Sequence, residues 1–583
     1  MNDTILMNYN KWINEPYFHE DTRKELEEIK NNEKEIEDRF YKDLEFGTGG
    51  LRGIIGAGTN RINIYTIRKA TQGLADYIKA NGELRIENGK LQGDLRCVIA
   101  YDSRYKSVEF AKAAALVLAA NGIKAYLFEG LRSTPELSFA VRYLKANAGI
   151  VITASHNPKE YNGYKVYWED GAQIATEIAE GITQSIDGVN DITSIGFLDE
   201  KAAKEQGLLV YLDKNVDDAY VTEVKKQSLG RDRAKNFRVV YTPLHGTGNI
   251  PVRRVLREIG FDNVFVVPEQ ELPDSQFSTV KYPNPEDKDA FKLAIELAKE
   301  KDAHIIIGTD PDCDRVGAVV KDSSGKYLVL TGNQTGALLV DYLLGGLKEK
   351  QKLPQDGVII KTIVTSEMGA NIAGYYGVET LNVLTGFKYI GEKIRQFDET
   401  KEKTFLFGYE ESYGYLAGTY ARDKDAVAAS MLICEMAGDY YSKGMSLYDA
   451  LLELYKKHGY YLEDLRSITL EGKDGLEKIK SNMEYFRENI LDPVCGKRLL
   501  YAEDYEKQQR IYLNSFKALE KIELPKSNVI KLVLENGTWV CLRPSGTEPK
   551  LKIYCGVKGT SIEDCKKELI STLDWVEERI KGL

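Results

Sequence analysis

Short β-rich runs alternate with helical patterns along most of the chain, and this alternation restricts the fold more than any other feature. From Leu95 onward, apolar runs such as RCVIAY and GIVITA are separated by stretches such as SVEFAKAAALVLAANG. Strands of this length joined by helices predict mainly parallel sheets that are covered on both faces. Because a single hydrophobic core stops growing near about 250 to 300 residues, the 583 residues require several domains.

The alternation recurs in three passes, and the last part of the chain has a different pattern. Two β-rich segments lie there, VIKLVLENGTWVCLRP and LKIYCGVKG, and the first contains ENGTW, which is typical of a hairpin turn between two strands. We predict four domains around a central cleft. Three are α/β domains with mixed, mainly parallel sheets, at residues 1–208, 209–323 and 324–455. The fourth, at residues 456–583, is an antiparallel α+β domain.

Composition narrows the classes of protein. The chain has 79 Lys and Arg against 89 Asp and Glu, a net charge of −10, with no long block of either sign. This disfavours a nucleic-acid or acidic-membrane binder. The seven scattered cysteines form no C-x-x-C pair and indicate a reducing compartment. The N-terminus lacks a signal-peptide pattern, and apolar runs such as 113–120 are shorter than the ~18 residues of a membrane span. We expect a cytoplasmic protein.

The most informative motif is GTDPDCDRVG, which follows the apolar run HIIIG and carries Asp310, Asp312 and Asp314. In an extended chain this i, i+2, i+4 spacing points all three carboxylates to one side. Oxygen ligands without nearby His or Cys favour Mg²⁺ over zinc. A solvated turn with helix-capping aspartates is the alternative, but ligands of open α/β sheets bind at the carboxyl ends of strands, where this motif lies.

A second motif, TASHNPKEYNGYK, follows the predicted strand GIVITA and carries Ser155, His156 and Lys165. A serine at a strand end can be a nucleophile, although the G-x-S-x-G elbow is absent. Adjacency in sequence makes His156 poorly suited to act as a simple base for Ser155. The alternative is a polar turn whose side chains bond the backbone.

Two further motifs lie nearer the C-terminus. RPSGTEPKLK offers the planar guanidinium of Arg543 beside the hydroxyls of Ser545 and Thr547, a set that suits a phosphate monoester. FGYEESYGY places carboxylates and a hydroxyl at a strand end, where they could bind sugar hydroxyls or form a solvated acidic loop. FGTGGLRG, AYDSRYKS, PLHGTG and LTGFK are weaker signals, each Gly-rich or at a strand end with one basic residue.

Taken together and in this order, TASHNP, DPDCDR, YEESYG and RPSGTEP resemble the phosphoserine, metal, sugar-binding and phosphate-binding loops of the α-D-phosphohexomutase superfamily. The resemblance extends from about residue 46 to about residue 554. It is strongest to the longer branch that contains phosphoglucomutases and phosphopentomutases. Tyr409 and Tyr413 depart from the family pattern, and we expect them to bear on which sugar is bound.

The resemblance implies a role for each matching residue. Ser155 would carry a phosphoryl group, and Mg²⁺ would be bound by Ser155, Asp310, Asp312 and Asp314. The substrate would be bound by Glu410, Ser412, Arg543, Ser545, Gly546, Thr547 and Arg315. The groups implied around the reacting phosphate, with general acid and base among them, are Arg52, His156, Lys165 and Lys388.

The implied activity is that of an intramolecular phosphotransferase of the isomerase class. It would interconvert glucose 1-phosphate and glucose 6-phosphate through the phosphoserine, with glucose 1,6-bisphosphate as intermediate and activator. Phosphopentomutase and phosphomannomutase activity are alternatives with the same mechanism, while a sugar phosphatase and a non-catalytic sugar-phosphate binder are more distant ones. The expected partners are small sugar phosphates, with no nucleic acid and no membrane, and the expected assembly is a monomer or small homo-oligomer.

Overall fold

A computed structural model describes residues 2–81, 85–87, 90–92, 94–231, 235–469, 472–489, 493–513, 519–545 and 550–582. Its chain forms two compact units. The larger unit contains Met1–Leu330, Ile390–Glu402 and Tyr413–Ser446. The smaller unit contains Thr331–Tyr389, Lys403–Ser412 and Leu447–Leu583.

Helices and strands alternate along the described chain. The helices are α1 (Asp3–Asn14), α2 (Glu20–Glu28), α3 (Glu33–Phe40), α4 (Ile64–Asn81), α5 (Ser107–Ala120), α6 (Thr134–Tyr143), α7 (Thr176–Asp187), α8 (Glu200–Glu205), α9 (Lys214–Lys225), α10 (Asn249–Glu258), α11 (Pro268–Glu271), α12 (Lys292–Glu300), α13 (Gly332–Glu349), α14 (Glu367–Tyr375), α15 (Phe387–Thr400), α16 (Ala426–Ser442), α17 (Leu447–His458), α18 (Gly472–Glu488) and α19 (Ile562–Gly582). The strands are β1 (Gly50–Ile54), β2 (Arg85–Glu87), β3 (Lys90–Gln92), β4 (Arg96–Tyr101), β5 (Lys124–Phe128), β6 (Ala148–Ile152), β7 (Tyr161–Trp168), β8 (Leu209–Leu212), β9 (Arg238–Thr242), β10 (Asn263–Val266), β11 (Ile305–Thr309), β12 (Val316–Lys321), β13 (Tyr327–Val329), β14 (Gly357–Thr362), β15 (Glu379–Val383), β16 (Thr404–Glu410), β17 (Gly414–Ala417), β18 (Tyr460–Thr469), β19 (Leu499–Asp504), β20 (Gln509–Tyr512), β21 (Leu519–Lys521), β22 (Ile530–Leu534), β23 (Trp539–Pro544) and β24 (Lys550–Gly559).

The first sheet of the larger unit has the strand order β1-β7-β6-β4-β5-β8. Strands β6, β4, β5 and β8 are parallel neighbours, and β7 and β1 add two antiparallel pairings at one side. Helix α5 is rich in alanine and buries most of its surface against this sheet. Because β4 and β6 are adjacent and parallel, the loops that follow them leave the same edge of the sheet. Those loops carry Asp102 and Ser155.

The second sheet of the larger unit has the order β10-β9-β11-β12-β13. Strands β10, β9 and β11 are parallel, whereas β12 and β13 return antiparallel. Every residue of β11 is buried, as expected for a central strand with an apolar run. The Asp310 loop follows β11 directly.

Three N-terminal helices, for which the sequence analysis assigned no elements, pack around aromatic side chains. Trp12 stacks on Phe18 with ring centroids 4.4 Å apart, and both rings contact Tyr65 of α4 edge-on. Burial of these aromatic side chains attaches helices α1, α2 and α3 to the domain of the first sheet.

The smaller unit contains a parallel three-strand arrangement and an antiparallel sheet. Strands β15, β14 and β16 are parallel neighbours in that order. The C-terminal sheet has the order β18-β24-β23-β22-β19-β20-β21, and each of its pairings is antiparallel. Strands β22 and β23 form the predicted hairpin, whose turn uses Gly537 at a φ of +85°.

These sheets confirm the predicted architecture of three α/β parts with mixed sheets and an antiparallel C-terminal part. The second sheet contains fewer parallel strand pairings than expected, because β12 and β13 contribute two antiparallel pairings. The boundaries at residues 208, 323 and 455 stay predictions, as does the cleft between the domains.

Leu118, which is fully buried in α5, tests the packing of the first domain. Replacing it with alanine removes buried methyl groups and leaves a cavity, so Leu118→Ala should lower the free energy of unfolding by about 2 to 5 kcal/mol in urea denaturation. Val108→Ala, on the exposed side of the same helix, is the control and should change it by no more than about 0.5 kcal/mol. Equal effects of the two substitutions would contradict this packing.

Candidate active site

Ser155 lies three residues beyond β6 and is buried, with 3% of its surface exposed. Its φ of +52° lies in the left-handed region, which is uncommon for a residue with a side chain. The Ser155 hydroxyl donates a hydrogen bond to Asp310 Oδ2 at 2.7 Å. The structure therefore brings together the two motifs that the sequence singled out most strongly, 155 residues apart in the chain.

His156 is closer to the serine oxygen than adjacency in sequence led us to expect. Its Nδ1 atom lies 3.1 Å from Ser155 Oγ, within hydrogen-bond distance. Burial, together with the positive charges of Arg315 and Arg52, holds the pKa of His156 well below its ordinary value. The imidazole is therefore neutral near pH 7.

The aspartate loop is a turn, so the expectation of an extended segment is wrong. Cys313 has a φ of +54°, and its N–H donates to the Asp310 carbonyl at 2.9 Å. The carboxylates of Asp310, Asp312 and Asp314 nevertheless converge, each offering an oxygen within 4.8 Å of the others. Convergence results from the turn closing on itself, with the N–H groups of Asp314 and Arg315 donating to Asp310 Oδ1.

The carboxylate cluster fits a hard divalent cation. All three aspartates are buried. Within the part of the chain that the structure describes, Asp312 Oδ1 and Asp314 Oδ1 are buried and accept no hydrogen bond. Burial and the neighbouring carboxylates raise the pKa of Asp310 well above its ordinary value. Since buried, unpaired carboxylate oxygens are costly and Mg²⁺ prefers oxygen ligands, a bound cation would satisfy this cluster.

Two lysine side chains form ion pairs with the carboxylate cluster. Lys165 Nζ lies 2.7 Å from Asp312 Oδ2, and Lys424 Nζ lies 3.1 Å from Asp314 Oδ2. Burial acts to raise the pKa of Asp314, but Lys424, Lys165 and Arg315 outweigh it and hold that pKa below its ordinary value. The pKa of Lys165 is raised, because Asp312 and Asp314 outweigh its burial. Lys165 therefore stays charged at neutral pH.

Lys424 was missed by the sequence analysis. It precedes Asp425, which caps α16 by accepting the N–H groups of Val427 and Ala428. Asp425 also accepts hydrogen bonds from the hydroxyls of Tyr220 and Tyr420. The position of Lys424 is thus fixed by a helix cap far along the chain from the aspartates. A basic residue before a strong N-cap, in YARDKDA, was the only signal available in the sequence.

The remaining basic candidates of the larger unit surround the same loops. Arg52 lies on β1, and its Nη1 donates to the Asn157 side chain at 3.3 Å. Arg315 Nη1 pairs with Glu286 at 2.6 Å. Arg104, a weak signal in the sequence, has its buried guanidinium against the backbone of the Ser155 loop.

The sugar-loop candidates lie in the smaller unit at the end of β16. Glu410 is largely buried and accepts the N–H of Gly386 at 3.0 Å. Ser412 is half-buried. Glu411 Oε2 accepts the hydroxyls of Thr362 and Thr365, both at 3.1 Å. The hydrogen bond from Gly386 holds Glu410 beside the glycine turn that precedes Lys388.

Tyr409, expected to bear on the choice of sugar, is a core residue. Its side chain is fully buried. A Cβ at Gly336 would lie 2.3 Å from the Tyr409 ring, and a Cβ at Gly369 would lie 2.1 Å from the Tyr409 hydroxyl oxygen. Both helices therefore approach this side chain only because these residues are glycine. Tyr413 is also buried, and its carbonyl accepts the N–H of Val316 at 3.1 Å. Packing against these two helices therefore explains why the side chain of Tyr409 is buried in the core.

The other predicted binding residues of the smaller unit lie on two separate elements. Lys388 is the second residue of α15 and is half-buried, with its Nζ 5.1 Å from the centre of the Tyr389 ring. Arg543 lies on β23 opposite Lys552, and the N–H of Ser545 donates to the Lys550 carbonyl at 2.8 Å. Gly546 and Thr547 lie outside the described residues.

Comparison with known families gives a match in four parts. The models for α/β/α domains I, II and III of phosphoglucomutase/phosphomannomutase match residues 43–192, 218–325 and 331–458, and the model for the C-terminal domain matches residues 504–569. The chain belongs to the phosphoglucomutase/phosphomannomutase family, which confirms the superfamily that the four loops resemble.

Individual relatives match over nearly their full length. A protein of Staphylococcus haemolyticus named phosphoglucomutase is 40% identical over 533 residues, covering 91% of this chain and 94% of its own. A phosphoglucomutase of Staphylococcus aureus (strain MRSA252) is 39% identical over 539 residues, covering 92% and 94%. The crystal structure of pp63/parafusin, a phosphoglucomutase from Paramecium, has a TM-score of 0.66 at 15% identity, covering 92% of this chain and 95% of its own. At that identity the likeness concerns the fold alone.

None of the helices in the described ranges is at once long and apolar enough to cross a membrane.

The carboxylate cluster should bind a divalent cation, and Asp312 is the residue with which to test it. Replacing its carboxylate with a neutral amide leaves one fewer anionic ligand, so Asp312→Asn should weaken Mn²⁺ binding at least about tenfold, or about 1.4 kcal/mol, in isothermal titration calorimetry. Asp289→Asn changes an exposed aspartate of the same unit and is the control. Unchanged Mn²⁺ affinity in Asp312→Asn would contradict the assignment.

Proposed function

We propose that this protein is a phosphoglucomutase, an intramolecular phosphotransferase that interconverts glucose 1-phosphate and glucose 6-phosphate. The observation that carries the proposal is the 2.7 Å hydrogen bond from Ser155 Oγ to Asp310 within the carboxylate cluster. A nucleophilic hydroxyl beside a cation site and two lysines is the arrangement that phosphoryl transfer requires. Further support comes from relatives named phosphoglucomutase that are about 40% identical over nine tenths of the chain.

In the first half-reaction, phosphorylated Ser155 gives its phosphoryl group to a hydroxyl of a sugar monophosphate. The bond between phosphorus and Ser155 Oγ breaks, a bond from phosphorus to the sugar oxygen forms, and Ser155 Oγ takes up a proton as it leaves. The hydroxyl proton passes to a base of the chain, for which His156 and Lys388 are the candidates, because Asp312 and Asp314 keep Lys165 protonated. The product of this step is a sugar bisphosphate, glucose 1,6-bisphosphate for a glucose substrate.

Positive groups around Ser155 lower the cost of the charge that spreads over the transferring phosphoryl oxygens. When bound by Asp310, Asp312, Asp314 and the Ser155 phosphate, Mg²⁺ supplies part of this neutralisation. Lys165, anchored to Asp312, contributes a fixed charge that needs no rearrangement during the reaction. Arg52 and Arg315 are assigned to the same phosphate on the strength of the family resemblance.

In the second half-reaction the bisphosphate turns end for end, and its other phosphate passes to Ser155. Ser155 Oγ gives up its proton as it bonds phosphorus, and the sugar oxygen that loses phosphorus takes up a proton. The isomeric monophosphate then leaves, and phosphoserine is restored. Either phosphate must therefore be accepted by the same binding group while the other reacts. Arg543, Ser545, Gly546 and Thr547 are assigned to that group, and Glu410 and Ser412 to the sugar hydroxyls, by the family resemblance.

The choice of sugar is part of the proposal. Specificity is a ratio of kcat/KM values, so glucose, mannose and ribose phosphates should be compared directly. A preference for ribose or mannose phosphates would replace phosphoglucomutase with phosphopentomutase or phosphomannomutase. The cytoplasmic location, the small homo-oligomer or monomer, and the absence of nucleic-acid or membrane partners stay predictions from the sequence.

Ser155→Ala tests the proposed reaction. Without Oγ no phosphoserine can form, so conversion of glucose 1-phosphate, in the presence of Mg²⁺ and glucose 1,6-bisphosphate, should fall at least about 1,000-fold, which corresponds to about 4 kcal/mol of barrier. Ser138→Ala, a buried serine that bonds the Gly171 carbonyl, is the matched control.

Near-normal activity of Ser155→Ala would rule out the phosphoserine scheme. Net release of inorganic phosphate from glucose 1-phosphate by the unmodified protein, in place of glucose 6-phosphate, would identify a phosphatase.

A further inference from the structure

Arg104 is enclosed by the Ser155 loop and contacts its backbone at four points. We propose that Arg104 is a positioning residue, which holds Ser155 in the orientation needed for phosphoryl transfer without touching the substrate. This inference rests on the proposed function for its catalytic consequence. Its structural part, control of the serine loop, stands independently.

The guanidinium of Arg104 donates to four carbonyl oxygens of the loop. Nη2 bonds the carbonyls of Ser155 and Asn157, both at 2.5 Å. Nη1 bonds those of Pro158 and Tyr161, at 2.8 and 3.0 Å. Its side chain is fully buried. A single side chain thus ties the loop of residues 155–160 to the first residue of β7.

Asp102, two residues before Arg104, holds the other side of Ser155. Its Oδ2 accepts the Thr153 hydroxyl at 2.6 Å, and Thr153 Oγ1 in turn accepts the N–H of Ser155 at 2.8 Å. Asp102 Oδ1 accepts the Arg104 N–H at 3.0 Å. Both backbone polar groups of Ser155 are therefore connected to the segment that follows β4.

The backbone conformation of Ser155 explains why these anchoring hydrogen bonds are needed. A left-handed φ at a residue with a side chain is unfavourable and persists only where surrounding contacts enforce it. The Arg104 and Thr153 bonds enforce it from both sides of the residue. The same φ directs Ser155 Oγ toward Asp310, so the anchors determine where a phosphoryl group on that oxygen would lie.

A planar guanidinium is needed for this task. It presents five N–H donors in a fixed fork, whereas a lysine ammonium is a compact charge on a flexible stem. Arg104→Lys should retain the positive charge and lose most of the carbonyl bonds. Misplacement of a reacting group by about 1 Å can cost about 100-fold in rate. Because the substrate-binding residues are left intact, the loss should fall on kcat and not on KM.

The test compares Arg104→Lys with Arg132→Lys. Arg132 makes a two-point pair with Asp217 in the same unit and is largely buried, so it controls for a general effect of the Arg-to-Lys change. We expect kcat with glucose 1-phosphate to fall about 10- to 100-fold in Arg104→Lys, with KM changed less than about threefold. Arg132→Lys should retain the kcat of the unmodified protein.

Hydrogen exchange supplies a readout that does not depend on activity. Peptides covering residues 153–161 should exchange at least about tenfold faster in Arg104→Lys, while those covering β4 and α5 should be unchanged. Chemical rescue adds a second readout. Guanidinium at millimolar concentration should raise the kcat of Arg104→Ala, and methylammonium, which has the charge without the fork, should not.

Unchanged exchange at residues 153–161 in Arg104→Lys, or a loss of kcat equal to that of Arg132→Lys, would overturn the proposal. If the unmodified protein converts none of the sugar phosphates, the proposed function fails, and faster loop exchange alone then supports the control of the loop by Arg104. Should Arg104→Lys not fold, Thr153→Val removes the opposite anchor. It should give the same faster exchange and the same loss of kcat, and normal values of both would count against the proposal.

Discussion

Three buried carboxylates beside the hydroxyl of Ser155 are the arrangement on which the rest of the candidate site depends. Like charges held this close, away from water, repel unless cations lie among them. Lys165 and Lys424 neutralise one side of the cluster, Lys165 through Asp312 and Asp314 and Lys424 through Asp314. Two carboxylate oxygens in the described structure remain without hydrogen bonds, which leaves a position that a divalent cation would fill.

The scaffold brings these groups together by the geometry of its sheets. Ser155 follows β6 and Asp310 follows β11, so each lies beyond the carboxyl end of a strand that has one parallel neighbour. The loops are then fixed by contacts of their own. The Asp310 turn closes through Cys313, and the helix cap at Asp425 fixes the position of Lys424. Rigid strands determine the region of the site, and local hydrogen bonds determine the direction of each side chain.

The sequence predicted the parts of this arrangement that follow from local pattern. The alternation of strands and helices, the antiparallel C-terminal sheet and the hairpin at Gly537 are such parts, because apolar periodicity and turn residues are read within short segments. The three aspartates were correctly predicted to lie together, but the predicted extended backbone was wrong. Spacing alone does not distinguish a pleated strand from a turn. The roles of Lys424 and Arg104 could not be predicted, because each depends on a partner more than fifty residues away in the chain. Likewise, the burial of Tyr409 on β16 depends on two glycines, one in α13 and one in α14.

A pulse-chase measurement of the phosphate on Ser155 tests the central claim most directly. The protein would first be labelled with glucose 1,6-bisphosphate carrying radioactive phosphate, freed of ligand, and analysed by peptide mapping. It would then be mixed with unlabelled glucose 1-phosphate and Mg²⁺. The account predicts label on the peptide that contains Ser155, and its transfer to glucose 6-phosphate or the bisphosphate at a rate no slower than turnover. Label on another residue, or label on Ser155 that stays during turnover, would contradict it.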